Sequence, residues 1–269
     1  MAKNEVATKK LDMNELAAPD FMKKYGNVGT ESIDASSVET PRLVLMQALS
    51  PEVEKHGAKQ GSFWHSVLEL DLGASLKMVP IYAEKTAVLW RPRTEGGGIL
   101  ARQVGNRWEP SNTKFEVTQG GRTIIWDTKG SVAESRLLDW GSSIPGDPRS
   151  LPAATLTVNI VFVLPERPDA SPVIMSFSKT AIKPANKLLA QLKLSGKPSF
   201  GMQFVLSSEK TSNNKGSFFM PKFTMDGLTG EEECERYFDL YRIFANKRHP
   251  IGAVETDDDG DEVVAEGRF

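Results

Sequence analysis

The chain has 269 residues, 39% of them hydrophobic, with 33 basic and 35 acidic side chains. That suffices for one large core or two small ones, and without a run of about eighteen apolar residues no helix is expected to span a membrane. One cysteine, Cys234, excludes an internal disulfide, and the polar opening MAKNEVATKK lacks the apolar centre of an export signal, so a reducing cytoplasm is the expected compartment.

Residues 1–40 are polar and turn-rich and read as a flexible arm, with a short helix over Met13–Tyr25 interrupted by Pro19. The ordered body is expected over 41–250, opening at "PRLVLMQALSPEVEKHGAKQGSFW". Strand-like stretches follow, separated by Gly, Asn and Pro clusters: "HSVLELDLG", "SLKMVPIY", "TAVLW", "KFEVTQ" and "RTIIW". Ser142–Pro152 reads as a long loop. "ATLTVNIVFVLP" is the strongest strand, dense in β-branched residues, and "PVIMSFS", "FGMQFVLSS" and "GSFFMPKF" are three more. Between them a helix is predicted from Pro184, with Ala185, Leu188, Leu189 and Leu192 on one face and a stop at Ser195–Gly196. A second helix opens on Thr229 and Glu232, spaced as a capping box, and carries the stripe Cys234, Tyr237, Phe238, Tyr241 and Phe244. The pattern is mainly β with a few helices (α+β), and a helix between short strands fits an OB-fold-like β-barrel with insertions.

Little points to catalysis. His56, His65 and His249 stand at no metal-ligand spacing with one another or with Cys234, so no metal site is expected, and no phosphate loop accompanies the three glycines of "EGGGILAR". His65 reads as structural and Cys234 as a small core residue. No enzyme activity and no cofactor are expected.

Binding has more support. Residues 179–222 hold eight lysines and one acid, Glu209, and phenylalanines interleave with them. Lysines neutralise phosphates, and exposed rings stack on unpaired bases for about 1–3 kcal/mol each. Lys179, Lys183, Lys187, Lys197, Lys210, Lys215 and Lys222, with Phe200 and Phe218, are therefore candidate nucleic-acid contacts; most of the other phenylalanines are assigned to the core. Strand alternation sends Phe218 and Phe219 to opposite faces. A second cluster joins planar cations to indoles: Trp90, Arg91, Arg93, Arg102, Arg107 and Trp108, with Trp126 and Trp140 close behind.

The end of the chain, "TDDDGDEVVAEGRF", reads as a disordered acidic tail over 251–269. Residues 255–269 hold seven acids and one base, leaving 28 acids against 32 bases elsewhere, a mildly basic body suited to a polyanion. Body and tail together resemble the single-stranded DNA-binding proteins of OB-fold type, especially those of bacteriophages. The stretches that carry the resemblance are "PRLVLMQALSPEVEKHGAKQG", "LWRPRTEGGGILAR", "SFSKTAIKPANKLLAQLKLSGKPSFGMQFVLSS" and the tail. Bacterial members of that group usually have proline before the final aromatic, where this chain has Arg268. Some phage relatives carry a cysteine-rich insertion where this chain has Leu89–Trp140, which contains no cysteine, so a zinc role is not carried over.

The resemblance implies a non-enzymatic coat for single-stranded DNA in phage replication, recombination or repair, acting in the host cytoplasm. It also implies that Asp257, Asp258, Asp259, Asp261, Glu262, Glu266 and Phe269 compete for the DNA groove and recruit replication or recombination proteins. A homodimer is compatible with it, and no membrane partner is expected. Two other functions fit the same sequence: a phage structural or assembly protein, and a single-strand annealing protein or recombination mediator.

Overall fold

A computed structural model describes residues 41–213 and 216–246, all within the compact unit Thr40–Phe269. The expected arm, the hairpin tip with Lys215, and the acidic tail lie outside the described residues.

The strands are β1 (Leu43–Leu45), β2 (Phe63–His65), β3 (Leu70–Asp71), β4 (Ser75–Trp90), β5 (Ile99–Val104), β6 (Arg107–Glu109), β7 (Lys114–Gln119), β8 (Arg122–Asp127), β9 (Ala154–Val163), β10 (Val173–Ser178), β11 (Met202–Asn213) and β12 (Gly216–Leu228). The helices are α1 (Pro51–Lys55), α2 (Val132–Ser135), α3 (Ile182–Ser195) and α4 (Glu231–Ala245), so the described residues are mostly β with few helices.

β4 organises the sheet. Two separate strands are predicted along it, yet it runs unbroken, because β9 pairs straight through Ala83, Glu84 and Lys85. The register slips between Pro80 and Tyr82, and a bulge there accommodates a proline that has no N–H to give a ladder. β4, β9 and β10 form an antiparallel meander. After α3 the chain returns as β11 beside β4, and β12 pairs with β11, giving the order β10-β9-β4-β11-β12, a Greek-key path. Among the described residues no strand pairing joins β10 to β12. The β1 segment reaches both instead: Arg42 bridges Ile174 in parallel, and the Gln47 side chain bonds Phe219 N and O at 2.9 and 3.0 Å.

Alternation along the strands builds the main core. Val158, Ile160 and Phe162 of β9 meet Met175 and Phe177 of β10, Phe204 and Leu206 of β11, and Phe223 of β12. Phe223 stacks on Phe162 at 6.0 Å and meets Phe177 edge-on at 5.9 Å. The apolar side of α3 (Ala185, Leu188, Leu192) closes this core. The helix starts at Ile182 rather than Pro184. Proline fits its first turn, where the backbone N–H groups have no intrahelical acceptor. Gly196 ends it at φ +64°, a left-handed conformation that suits glycine.

α4 begins one residue later than its sequence signal. Glu233, not Glu232, accepts from the N–H of Gly230 at 3.2 Å, while Thr229 donates its hydroxyl to Phe200 O at 3.0 Å. Tyr237 and Phe244 then bury against Val79, Ile81, Val161, Val163 and Ile174 on the outer side of β4, β9 and β10.

The segment between β4 and β9 has its own core. β5 and β6 extend the far end of β4. β7 and β8 form a hairpin whose turn, Gly120–Gly121, has positive φ at both positions, as a tight two-residue turn requires. Trp108, Trp126, Val132 and Leu137 pack beneath them against Ala87 and Leu89 of β4. The predicted loop over 142–152 is held by the Ser142 hydroxyl, which donates to Asp139 O and accepts from Ala153 N.

Candidate nucleic-acid interface

One sheet face gathers polar side chains across five strands. Thr155, Thr157 and Asn159 of β9 alternate with core residues and therefore point away from the core. Their partners across the ladders do the same: Val88, Thr86 and Glu84 on β4, and Ser178 and Ser176 opposite Thr157 and Asn159 on β10. Arg102 of β5 lies opposite Val88, and on β6 Glu109 lies opposite Arg102 and Arg107 opposite Val104. Thr86, Val88 and Asn159 are buried within this face, and its accessible groups are the hydroxyls of Thr155, Thr157, Ser176 and Ser178, with Arg102 and Arg107 at the far side. Such groups donate well to phosphate and sugar oxygens. Glu84 and Glu109 temper its charge, so it is not a purely cationic groove.

At the middle of this face Asn159 donates from Nδ2 to Thr86 Oγ1 at 3.1 Å. Its Oδ1 is buried without a hydrogen-bond partner among the described residues. Lys179 follows Ser178 directly. Its backbone is left-handed at φ +49°, uncommon for a non-glycine residue, and its side chain is exposed at the rim of the face.

The predicted arginines gather on the β4–β5–β6 side. Arg91 and Arg93 are exposed on the turn that follows β4, where Arg91 N donates to Gly98 O at 2.8 Å; Trp90 is half-buried at the end of the strand. Trp108 is a correction. It is 2% exposed, and its indole donates to Ser135 Oγ at 2.9 Å, because strand alternation turns it inward while Arg107 and Glu109 turn out. It has no ring face to offer a base. Trp126 is buried as well.

The predicted lysines do not form one groove. Lys183 and Lys187 lie on the exposed side of α3, and Lys197 lies beyond its end. Lys210 sits opposite Phe219 and Lys222 opposite Ser207, and this register places the two lysines on opposite faces of the β11–β12 hairpin. Lys222 is held by Glu209. Phe218 is half-buried and shares the face of Lys222. Phe219 instead covers Gly61, fixing the hairpin to the loop before β2. Phe200 is half-buried: its ring packs 5.8 Å from both Phe238 and Tyr241, and its carbonyl takes the Thr229 hydroxyl, so it also anchors α4.

One exposed aromatic stands out beyond those predicted as contacts. Trp140 is 63% exposed in the loop after α2, beside Arg136, which pairs with Asp139 at 3.0 Å. Its only sequence signal is negative: the flanking Asp139, Gly141 and Ser142 offer no apolar periodicity that would bury it.

His65 is buried, and burial lowers its pKa; its Nδ1 accepts from Leu68 N at 3.0 Å, a structural role. Among the described residues no cluster of His, Cys, Asp and Glu is arranged to hold a metal ion, and no helix is long and apolar enough to cross a membrane.

The family model described as "Pam3 phage gp34-like protein" matches residues 8–249, most of the chain. No curated protein and no solved structure matches.

Proposed function

The chain belongs to the Pam3 phage gp34-like protein family and is a bacteriophage protein; from that premise we propose that it binds single-stranded DNA, without sequence preference and without catalysis, during phage replication, recombination or repair in the host cytoplasm. The observation that carries this proposal is the hydroxyl face of β10-β9-β4, continued by Arg102 and Arg107 on β5 and β6. Its setting supports it. A meander of three strands, a helix, then a fourth strand returning beside the first and a fifth beside the fourth is the path of a five-stranded Greek-key OB barrel, whose second and third strands and first connecting loop bind oligonucleotides. Here those strands are β9 and β10, and that loop is the insertion that carries the arginines and Trp140. Threonine, serine and arginine contacts hold phosphates, and an exposed indole stacks on any base, so sequence is read weakly.

The acidic residues Asp257, Asp258, Asp259, Asp261, Glu262 and Glu266 act as a polyanion that competes for this face, and with Phe269 they offer a handle to replication or recombination proteins. The test is the salt dependence of oligo-dT binding by the unmodified chain and by Arg102→Gln/Arg107→Gln. Losing two phosphate contacts lowers the log–log slope by about 1.4. An unchanged slope removes this face from the interface.

A further inference from the structure

β4 has two edges. β9 covers one from Val79 to Leu89. On the other, β11 pairs over Ser75–Met78 and β5 over Val88–Trp90, leaving the stretch between without a strand among the described residues. One carbonyl there, of Ile81, accepts the Ser199 hydroxyl at 3.0 Å. A cleft of about 520 Å³ opens at this edge, between β4 and the C-terminal end of α3. Leu189 and Leu192 give it an apolar lining, and Tyr82 and Tyr241 line it with rings 6.3 Å apart. Lys85, Lys193 and Lys197 stand around it, exposed. No acidic side chain among the described residues forms an ion pair with any of them.

We propose that this cleft is a second subsite for the nucleic-acid strand, taking one base against Tyr82 and Tyr241 and the neighbouring phosphates on Lys85, Lys193 and Lys197. The inference rests on the single-stranded DNA function proposed above. Two observations favour this occupant. Glu84 lines the cleft and lies opposite Asn159 of the hydroxyl face, and Tyr82 lines the cleft two residues along the same side of β4, so a strand crossing that face reaches the open edge of β4 without leaving the protein. Ring faces beside cations suit a base with its phosphates. The carbonyl end of α3 points its negative pole toward this region, and Lys193 and Lys197 offset it.

The test uses the full chain and labelled oligo-dT, comparing the unmodified protein with Lys85→Gln/Lys193→Gln/Lys197→Gln across salt concentrations. All three side chains are exposed, so the fold is retained. The expected result is a slope lower by about 2, from three lost phosphate contacts, an affinity at least tenfold weaker at low salt, and photocrosslinks from 4-thiothymidine to Tyr82 or Tyr241 in the unmodified chain. Steep binding by the unmodified chain with no change in the variant overturns the second subsite and leaves the hydroxyl face standing. Tighter binding by the variant overturns it too, since the lysines then hold the chain's own acidic stretch. No binding by the unmodified chain removes the function beneath it and the subsite together.

Discussion

Trp108→Ala and Trp140→Ala should have opposite consequences. Trp108 is 2% exposed and packs with Trp126 and Leu137 in the insertion core. Replacing a buried tryptophan by alanine costs about 3–5 kcal/mol. Its hydrogen bond to Ser135 Oγ goes too, but that hydroxyl keeps its own bond to Val132 O at 2.7 Å, so the partner adds little to the cost. A loss of about 4 kcal/mol is a large part of a typical stability of about 5–15 kcal/mol. For a body of this size it lowers the melting temperature by roughly 8–16 °C. Trp140, 63% exposed, should cost less than about 0.5 kcal/mol when truncated, but about 1–3 kcal/mol of binding, or roughly 5- to 150-fold in Kd. Thermal melts by circular dichroism and anisotropy titrations with oligo-dT read both quantities. The reasoning is refuted if Trp108→Ala melts within two or so degrees of the unmodified protein while binding weakly, or if Trp140→Ala binds unchanged.

Gly61→Ala should destabilise the chain by about 2–4 kcal/mol in urea titrations, since its backbone lies at φ +80° and a Cβ would meet Phe219 ring carbons at 2.5 to 3.0 Å. Phe219→Ala in the same chain removes the clash but not the backbone strain, so the double variant should cost less than the sum of the two singles. His65 has a folded pKa below 6.5 because of burial. The unfolded chain therefore takes up the proton first, and stability present above about pH 6.5 is lost as pH falls through the folded value. His65→Asn should flatten the dependence of the urea midpoint between pH 7.5 and 5, and an equally steep dependence would assign that proton to another group.

The strands were legible where a single stretch carries its own alternation. "TLTVN" announces both the core residues and the Thr155–Thr157–Asn159 row of the candidate face. β4 was not, because Ala83, Glu84 and Lys85 have no strand pattern of their own and are held extended by β9. Alternation in "RWE" was enough to turn Trp108 away from Arg107, yet counting aromatics near arginines hid it. The lysine excess over 179–222 is real as composition, but composition carries no face: α3, the loop after it and the two sides of one hairpin divide those charges. The hydroxyl face was invisible for the opposite reason, since its members come from five strands joined only by pairing.

The most direct measurement is fluorescence anisotropy of labelled oligo-dT against a duplex of equal length, titrated with the full chain at low and moderate salt. Single-stranded DNA binding predicts a clear preference for the oligo-dT that weakens steeply as salt rises. Equal affinity for both, or self-assembly with no affinity for either, would contradict it and point to a structural role in the phage particle.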